Sequence, residues 1–169
     1  VASGVCIDKY SAEKKFRNGR FLKVIEILEP RIFEYRSNGD FYYYLGYSYL
    51  HTGDFIKANY YLKRALQLEP GDLRLLYGDA VLQLKKGETA GAIRTWLRIR
   101  EMNPGDELAG AGLEFLRNME KKNGEKEISS EECCRLVPGR DNRKRFRRKI
   151  VLFSASALVA AVIICMILI

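Results

Sequence analysis

The sequence predicts an all-α chain: an α-solenoid of about three helical hairpins with a capping helix, followed by a linker and one transmembrane helix. Two observations carry this prediction. The tripeptide Pro-Gly-Asp ends at Asp72 and returns at Asp106, 34 residues later, and a fixed period of this length indicates a helical repeat. Residues 150–169 contain no charged residue, which is typical of a membrane span.

The 34-residue match extends well beyond Pro-Gly-Asp. The aligned pairs include Gly53 and Gly87, Asp54 and Glu88, Ala58 and Ala92, Leu68 and Met102, and Pro70 and Pro104. Within each period, apolar residues at helical spacing run up to a Gly turn, resume, and stop at Pro. The helices predicted in this way cover residues 41–51, 55–68, 73–84 and 89–102. We therefore expect two clear hairpin units, 39–72 and 73–106.

The residues at fixed positions in each hairpin resemble those of the tetratricopeptide repeat family. Unit 39–72 supplies Tyr42, Leu45, Gly46, Tyr49, Ala58, Leu62, Ala65 and Pro70. Unit 73–106 matches more loosely, with Leu76, Ala80, Gln83, Ala92, Trp96, Ile99 and Pro104. Asp79 and Gln83 are polar where that family is usually apolar. The resemblance implies stacked hairpins whose helices approach closely at the Gly and Ala positions.

A degenerate unit is expected upstream, over residues 7–38. Gly19 lies one 34-residue period before Gly53, which places a turn between two helices there. Pro30 predicts that the second of these helices is kinked or shortened, because proline breaks the helical hydrogen-bond ladder. The connection to the next unit is predicted to be about two residues longer than the other repeat junctions.

Downstream of the repeats, residues 107–121 have the amphipathic pattern of a capping helix that closes such an array. The repeat domain is thus expected to cover residues 7–121. Residues 122–142 are polar, with Gly, Ser and Pro, and predict a flexible tether. Cys133 and Cys134 are too close in sequence for a metal or redox pair. They are expected to be free thiols of a solvated linker, with acylation near a membrane as the alternative.

Residues 150–169 predict a transmembrane helix, since 20 residues at 1.5 Å rise span roughly 30 Å. A basic segment, residues 143–149, precedes it. Its cations are Arg143, Lys144, Arg145, Arg147, Arg148 and Lys149. Cations beside a span stay on the cytoplasmic side and contact anionic lipid head groups. We therefore expect a single-pass membrane protein whose repeat domain faces the cytoplasm.

The tetratricopeptide resemblance also implies where a partner binds. In that family the first helix of each hairpin lines a concave groove that takes an extended peptide or a partner's helix. The matching positions are Lys9, Glu13, Phe16 and Arg17, then Tyr43, Tyr47, Leu50 and His51, then Arg74, Tyr77, Val81, Leu84 and Lys85. The tyrosines suit either interface anchors or ordinary helix packing. The cations favour an acidic partner.

Several other functions are not expected. Residues 140–149 hold seven Lys and Arg against one Asp, or +6 of the net charge of +8, so the repeat domain has no strongly basic face for nucleic acid. The sequence has no Gly-rich phosphate loop, and His51 has no nucleophile or ligand set beside it. We predict no enzyme activity, no catalytic residue, no cofactor and no metal site. Glu13, Tyr44 and Gly78 also disrupt the carboxylate clamp of chaperone-tail adaptors.

The predicted function is a membrane-anchored adaptor or scaffold that recruits a partner protein through the groove. Tethering would raise the partner's effective concentration at the membrane. Two alternatives stay open. The array could be a structural subunit of a larger membrane-associated assembly, or self-associate as a homo-oligomer. It could also be the regulatory domain of a longer chain that continues beyond the span.

Overall fold

The computed structural model describes residues 2–121 and 128–138, with side chains described from residue 10 onward. These residues lie in one compact unit, Val1–Pro138, and their regular structure is helical throughout, which confirms the all-α prediction for this part of the chain. The helices are α1 (Ala2–Arg17), α2 (Phe21–Leu28), a 3₁₀ turn (Glu29–Arg31), α3 (Gly39–Thr52), α4 (Phe55–Leu68), α5 (Leu73–Lys85), α6 (Thr89–Met102), α7 (Glu107–Lys121) and α8 (Ser130–Arg135).

Helix starts follow the 34-residue period from α2 to α7, whereas α1 begins at Ala2. The first helices α3, α5 and α7 begin at residues 39, 73 and 107, and the second helices α2, α4 and α6 begin at residues 21, 55 and 89. A side-chain oxygen caps α3, α5 and α7, because the first amides of a helix have no partner within it. Asn38 accepts from Phe41 N at 3.0 Å, Asp72 from Arg74 N at 2.8 Å and Asp106 from Ala109 N at 2.8 Å.

Glycine turns inside the three hairpins repeat with the same period. Gly19, Gly53 and Gly87 have φ angles of 71°, 89° and 79°, in the left-handed region that costs glycine little. After each one, the next amide donates to a carbonyl five residues earlier: Arg20 to Lys15, Asp54 to Tyr49 and Glu88 to Gln83. The shared geometry identifies the degenerate first unit as a hairpin of the same kind.

The second helix of the first unit is shortened, as Pro30 predicts. Helix α2 ends at Leu28, and Glu29 begins a single 3₁₀ turn. The following connection is longer than the other junctions, as predicted, but by more than two residues: residues 29–38 separate α2 from α3, and residues 69–72 separate α4 from α5. The unit keeps its length, since α3 begins in register with α5 and α7. The longer connection arises because α2 stops early. Glu29 is held by the next unit, accepting from the Tyr49 hydroxyl at 2.5 Å and from Lys57 Nζ at 3.1 Å.

Helices α1 to α7 each pack on the next along the chain, an arrangement consistent with an α-solenoid. Gly46 permits a close approach of α3 and α4: a Cβ atom there would lie 2.7 Å from Leu62 Cγ. Gly112 of α7 likewise makes room for Trp96 of α6, which is fully buried. Small residues thus occupy the helix crossings, where a larger side chain would separate the backbones.

Among the helices of residues 2–121 and 128–138, none combines the length and apolar character needed to cross a bilayer. The predicted span, 150–169, and the basic segment, 143–149, lie outside the described residues.

Candidate functional site

The predicted groove positions lie on α1, α3 and α5, the first helices of the three hairpins. The side of these helices that carries the positions is called the groove face below. The side chain of Lys9 lies outside the described residues. Two sets of contacts connect five of the other predicted positions, one between α1 and α3 and one between α3 and α5.

An aromatic ladder joins α1 to α3. The ring centroid of Phe16 lies 5.2 Å from that of Tyr44 and 5.7 Å from that of Tyr43. Tyr43 lies 4.8 Å from Tyr47, which lies 6.5 Å from His51. The ladder is completed by Phe21 of α2, whose ring stacks on His51 at 4.1 Å. Aromatic pairs at these distances stabilise their contact beyond simple burial, so the ladder fixes the first unit against the second.

Polar contacts centred on Arg74 join α3 to α5. The Tyr47 hydroxyl donates to the Arg74 carbonyl oxygen. The Arg74 guanidinium lies 4.6 Å from the Tyr43 ring centroid and donates to Asp40 Oδ1 at 3.0 Å and to Asp72 Oδ2 at 2.9 Å. The hydrogen bonds to Asp72, and then those to Asp40, raise the pKa of Arg74 above its ordinary value. This cation therefore stays charged with its charge compensated inside the chain.

The other basic residues at the predicted groove positions also contact groups of this chain. Arg17 forms an ion pair with Glu13 at 3.4 Å. Lys85 Nζ donates to the carbonyl oxygen of Ile128 at 2.8 Å and lies over the Phe55 ring. Because these cations, like Arg74, already have acceptors or a ring in contact, the groove face offers less to an acidic partner than the sequence suggests.

The three tyrosines expected to anchor a partner lie in the core. Tyr47 is fully buried, and Tyr43 and Tyr77 are each 7% exposed. Burial raises the pKa of Tyr43 to about 12, against the opposing charge of Arg74. The Tyr77 hydroxyl donates to Asp106 Oδ2, on the residue that caps α7. The structure uses all three for packing between helices, the alternative that the sequence left open.

Accessibility differs among the remaining groove positions. Leu50 and Val81 are fully buried, and Leu84 is nearly so. Tyr44, which the sequence analysis places at a carboxylate-clamp position but not among the partner-binding residues, is only half-buried and packs edge-on against the rings of Phe16 and Tyr43. Burial raises its pKa, and the charge of Glu13 adds to this effect. Tyr44 is therefore an accessible aromatic residue on this face. Its equivalent one period later is Gly78, so the third unit has no side chain at this position.

Residues 128–138, called the docked segment below, pack on the repeat array. Helix α8 lies in this segment and contacts α3. The segment's apolar side chains join the hydrophobic core: Ile128 and Leu136 are 5% exposed, and Cys133 and Val137 are 1% exposed. Ser129 begins α8 with a capping box, in which its side chain and that of Glu132 cap each other's backbone amides. The array thus binds a short segment of its own chain through four apolar side chains, one on α8 and three beside it.

The docked segment corrects two predictions. The flexible tether expected over residues 122–142 is wrong for residues 128–138, because their apolar side chains cover part of the array. Cys133 is not a solvated linker thiol, since it is buried, and burial raises its pKa to about 11. Cys134 is half-buried. The capping box Ser-Ser-Glu-Glu at residues 129–132 was the sequence signal that could have indicated a helix here.

Residues 49–114, from the end of α3 into α7, match the protein family described as Tetratricopeptide repeat. The match supports the tetratricopeptide resemblance. No curated protein matches the chain. Tetratricopeptide arrays generally bind other proteins, so the match also supports a role in protein–protein interaction for the array.

Proposed function

We propose that the chain is an adaptor that holds a partner protein at a membrane, with a helix or peptide of the partner bound on the groove face. The docked segment is the observation that carries this proposal. Its buried residues and its contacts with α3 and Lys85 of α5 mean that the face accepts a short segment with a helical turn and a few apolar side chains. The tetratricopeptide match supports the same class of function.

The membrane part of the proposal rests on the sequence. Residues 150–169 carry no charge, and six of the seven residues 143–149 are Lys or Arg. A span with this flank inserts with the cations on the cytoplasmic side, so the array would face the cytoplasm. Carbonate extraction of native membranes tests the anchor. The full chain should stay in the pellet, and recovery in the supernatant would contradict membrane insertion.

Affinity capture of the tagged full chain from detergent-solubilised native membranes tests partner binding. The variant Tyr44→Ala removes the half-buried ring of the groove face. The matched control is Tyr60→Ala on α4, where the ring is 68% exposed and lies on a second helix rather than on the groove face. Both variants should keep the parent's circular dichroism. We expect the parent and the Tyr60 variant to retain one set of partners and the Tyr44 variant to lose it.

Other results would assign the binding site to a different surface or exclude the groove face. If Tyr60→Ala loses the partner and Tyr44→Ala keeps it, the partner binds the second helices. If all three proteins retain the same partners, the groove face is not the contact surface.

A further inference from the structure

The docked segment is amphipathic across its short length. Its apolar residues Ile128, Cys133, Leu136 and Val137 are buried. Glu131 and Arg135 lie on the other side, where Arg135 Nη2 donates to Glu131 at 2.5 Å and both side chains are more than half exposed. A helix of six residues does not persist alone in water, so its conformation depends on contact with the array.

The segment lies where α3 and α5 end. The Ile128 carbonyl accepts from Lys85 Nζ, at the last residue of α5. A Cβ atom at Gly53, just after α3, would lie 3.8 Å from Ser130 Oγ. Leu50 and Leu84, two predicted groove positions in the last turns of these helices, are buried. The segment therefore sits at the end of the groove face that the tetratricopeptide resemblance assigns to a partner.

The covalent connection to α7 keeps the docked segment at a high local concentration near the array. Ile128 follows Lys121, the last residue of α7, by seven positions. A short connection of this kind gives an effective concentration of roughly millimolar, so weak contacts hold the segment in place. A separate partner has to exceed that local competition before it can bind the same surface.

We infer that residues 128–138 are an intramolecular ligand of the groove face, and that a partner helix binds there only when this segment leaves. The inference rests on the proposed function, because it takes the groove face as the partner's site. It also defines the partner's chemistry. The competing segment presents a few apolar side chains on and beside one short helix, as Cys133 does within α8 and Ile128, Leu136 and Val137 do at its two ends, and it needs no acidic cluster.

Cys133 provides a direct measure of docking. The thiolate is the form that reacts with alkylating agents, and both the burial of Cys133 and its raised pKa suppress that form in the docked state. In a full chain carrying Cys6→Ser, Cys134→Ser and Cys165→Ser, Cys133 is the remaining thiol. At pH 8 we expect iodoacetamide to modify it at least about tenfold more slowly than the same thiol in a synthetic peptide of residues 126–140.

An opened variant tests whether the face binds the segment reversibly. Leu136→Asp with Val137→Asp places charges on the buried side, and the matched control Glu131→Gln with Arg135→Gln changes the exposed side. The opened variant should react at the rate of the peptide and should bind a fluorescent 126–140 peptide at least about tenfold more tightly than the parent does. The control should match the parent in both measurements.

A milder variant leaves the segment unchanged. Lys85→Met removes the donor to the Ile128 carbonyl and should raise the Cys133 rate by about fivefold, the usual effect of one lost hydrogen bond. Circular dichroism and thermal unfolding verify that the array of each variant remains folded. The inference is overturned if Cys133 of the parent reacts at the peptide's rate, or if the folded opened variant binds the peptide no better than the parent.

These outcomes separate the inference from the proposed function. A reactive Cys133 in the parent removes the intramolecular ligand and leaves the groove face open for a partner. A protected Cys133 with peptide binding to the opened variant establishes the ligand, even if Tyr44→Ala retains every captured protein and the proposed adaptor site fails.

Discussion

Helices α3 and α5 hold equivalent places in successive repeats but have different interiors. Helix α3 is aromatic, and its Tyr47 is fully buried; one period later the equivalent residue is Val81, also fully buried. Leu45 of α3 corresponds to Asp79 of α5, and Leu45 is fully buried as well. Both helices begin in the same register and turn at equivalent glycines, Gly53 and Gly87. The turns and caps therefore set the hairpin geometry, while the core residues can differ between units.

The two helices also use polar groups differently. In the second unit, Tyr49 donates to Glu29 at 2.5 Å and so ties α3 to the first unit. In the third unit the equivalent residue is Gln83, whose Nε2 donates to Asp79 Oδ2 at 2.6 Å within α5. The Tyr49 hydrogen bond connects two units, whereas the Gln83 hydrogen bond lies within one helix. The difference predicts that α3 contributes more to the stability of the whole array than α5.

Truncating the equivalent core residues tests this difference with the largest expected effect. Tyr47→Ala should lower the free energy of unfolding by about 4 kcal/mol, because it leaves a large cavity and removes the donor to the Arg74 carbonyl. Val81→Ala should cost about 2 kcal/mol, since it removes two carbon atoms. Urea unfolding of the full chain in detergent, followed by circular dichroism, measures both.

An exposed tyrosine provides the control for these truncations. Tyr60→Ala should change the stability by no more than about 0.5 kcal/mol. Equal losses for Tyr47→Ala and Val81→Ala would show that the aromatic helix is no more central than the aliphatic one. The large loss expected also means that Tyr47→Ala is unsuitable for mapping partner contacts, because it changes the fold itself.

Exchanging Gly and Ala at the equivalent helix crossings, Gly46 and Ala80, tests whether α3 and α5 are packed equally closely. Position 46 is Gly in α3, and its equivalent, Ala80 in α5, is fully buried. A Cβ atom at Gly46 would lie 2.7 Å from Leu62 Cγ and 3.1 Å from Leu62 N. Gly46→Ala should therefore destabilise the chain by about 2 kcal/mol through overpacking. Ala80→Gly should cost about 1 kcal/mol, from helix propensity alone.

Thermal unfolding of both variants measures the exchange. If Gly46→Ala melts at the parent's temperature, α3 and α4 have room to separate, and the close approach at this crossing is not required. If Ala80→Gly is the more harmful of the two, the methyl group of Ala80 contributes packing that helix propensity does not describe.

Much of the fold could be predicted because its signals are local. Gly53 and Gly87 mark turns through their positive φ, and the predicted bounds of residues 55–68 and 89–102 are those of α4 and α6. The contacts of the groove could not be predicted in the same way. The Tyr47 hydroxyl reaches a carbonyl 27 residues away, and no periodic pattern specifies which of several tyrosines becomes buried.

The docked segment was missed for a different physical reason. Its buried residues, Ile128, Cys133, Leu136 and Val137, are spread through a polar stretch and follow neither the helical nor the strand period over a useful length. Their burial depends on a surface made by α3 and α5, far away in sequence. A prediction from composition averages over such isolated apolar residues. For this reason the composition indicates a flexible tether.

The smallest effect expected concerns Asp79, the polar residue that replaces Leu45 in the third unit. Burial raises the pKa of Asp79 above its ordinary value, although Lys63 and Lys86 oppose this. The folded state therefore binds a proton more readily than the unfolded state, and stability falls as the pH rises from the ordinary Asp value through the folded one. At pH 7 the ionised carboxylate carries a net penalty.

Asp79→Asn removes that penalty and keeps an oxygen that can accept from Gln83. We expect it to stabilise the chain at pH 7 by about 0.5 kcal/mol, the usual size for a partly exposed site. The gain should vanish near pH 3, where the Asp79 of the parent is protonated in both states. Thermal unfolding of the parent and the variant at each pH in this range measures the difference in their stability. The other titrating groups are common to both proteins, so they do not contribute to this difference. A variant that is less stable at pH 7 would mean that attraction to Lys63 and Lys86 outweighs burial, so that the charge in α5 stabilises its unit as the aromatic residues stabilise α3.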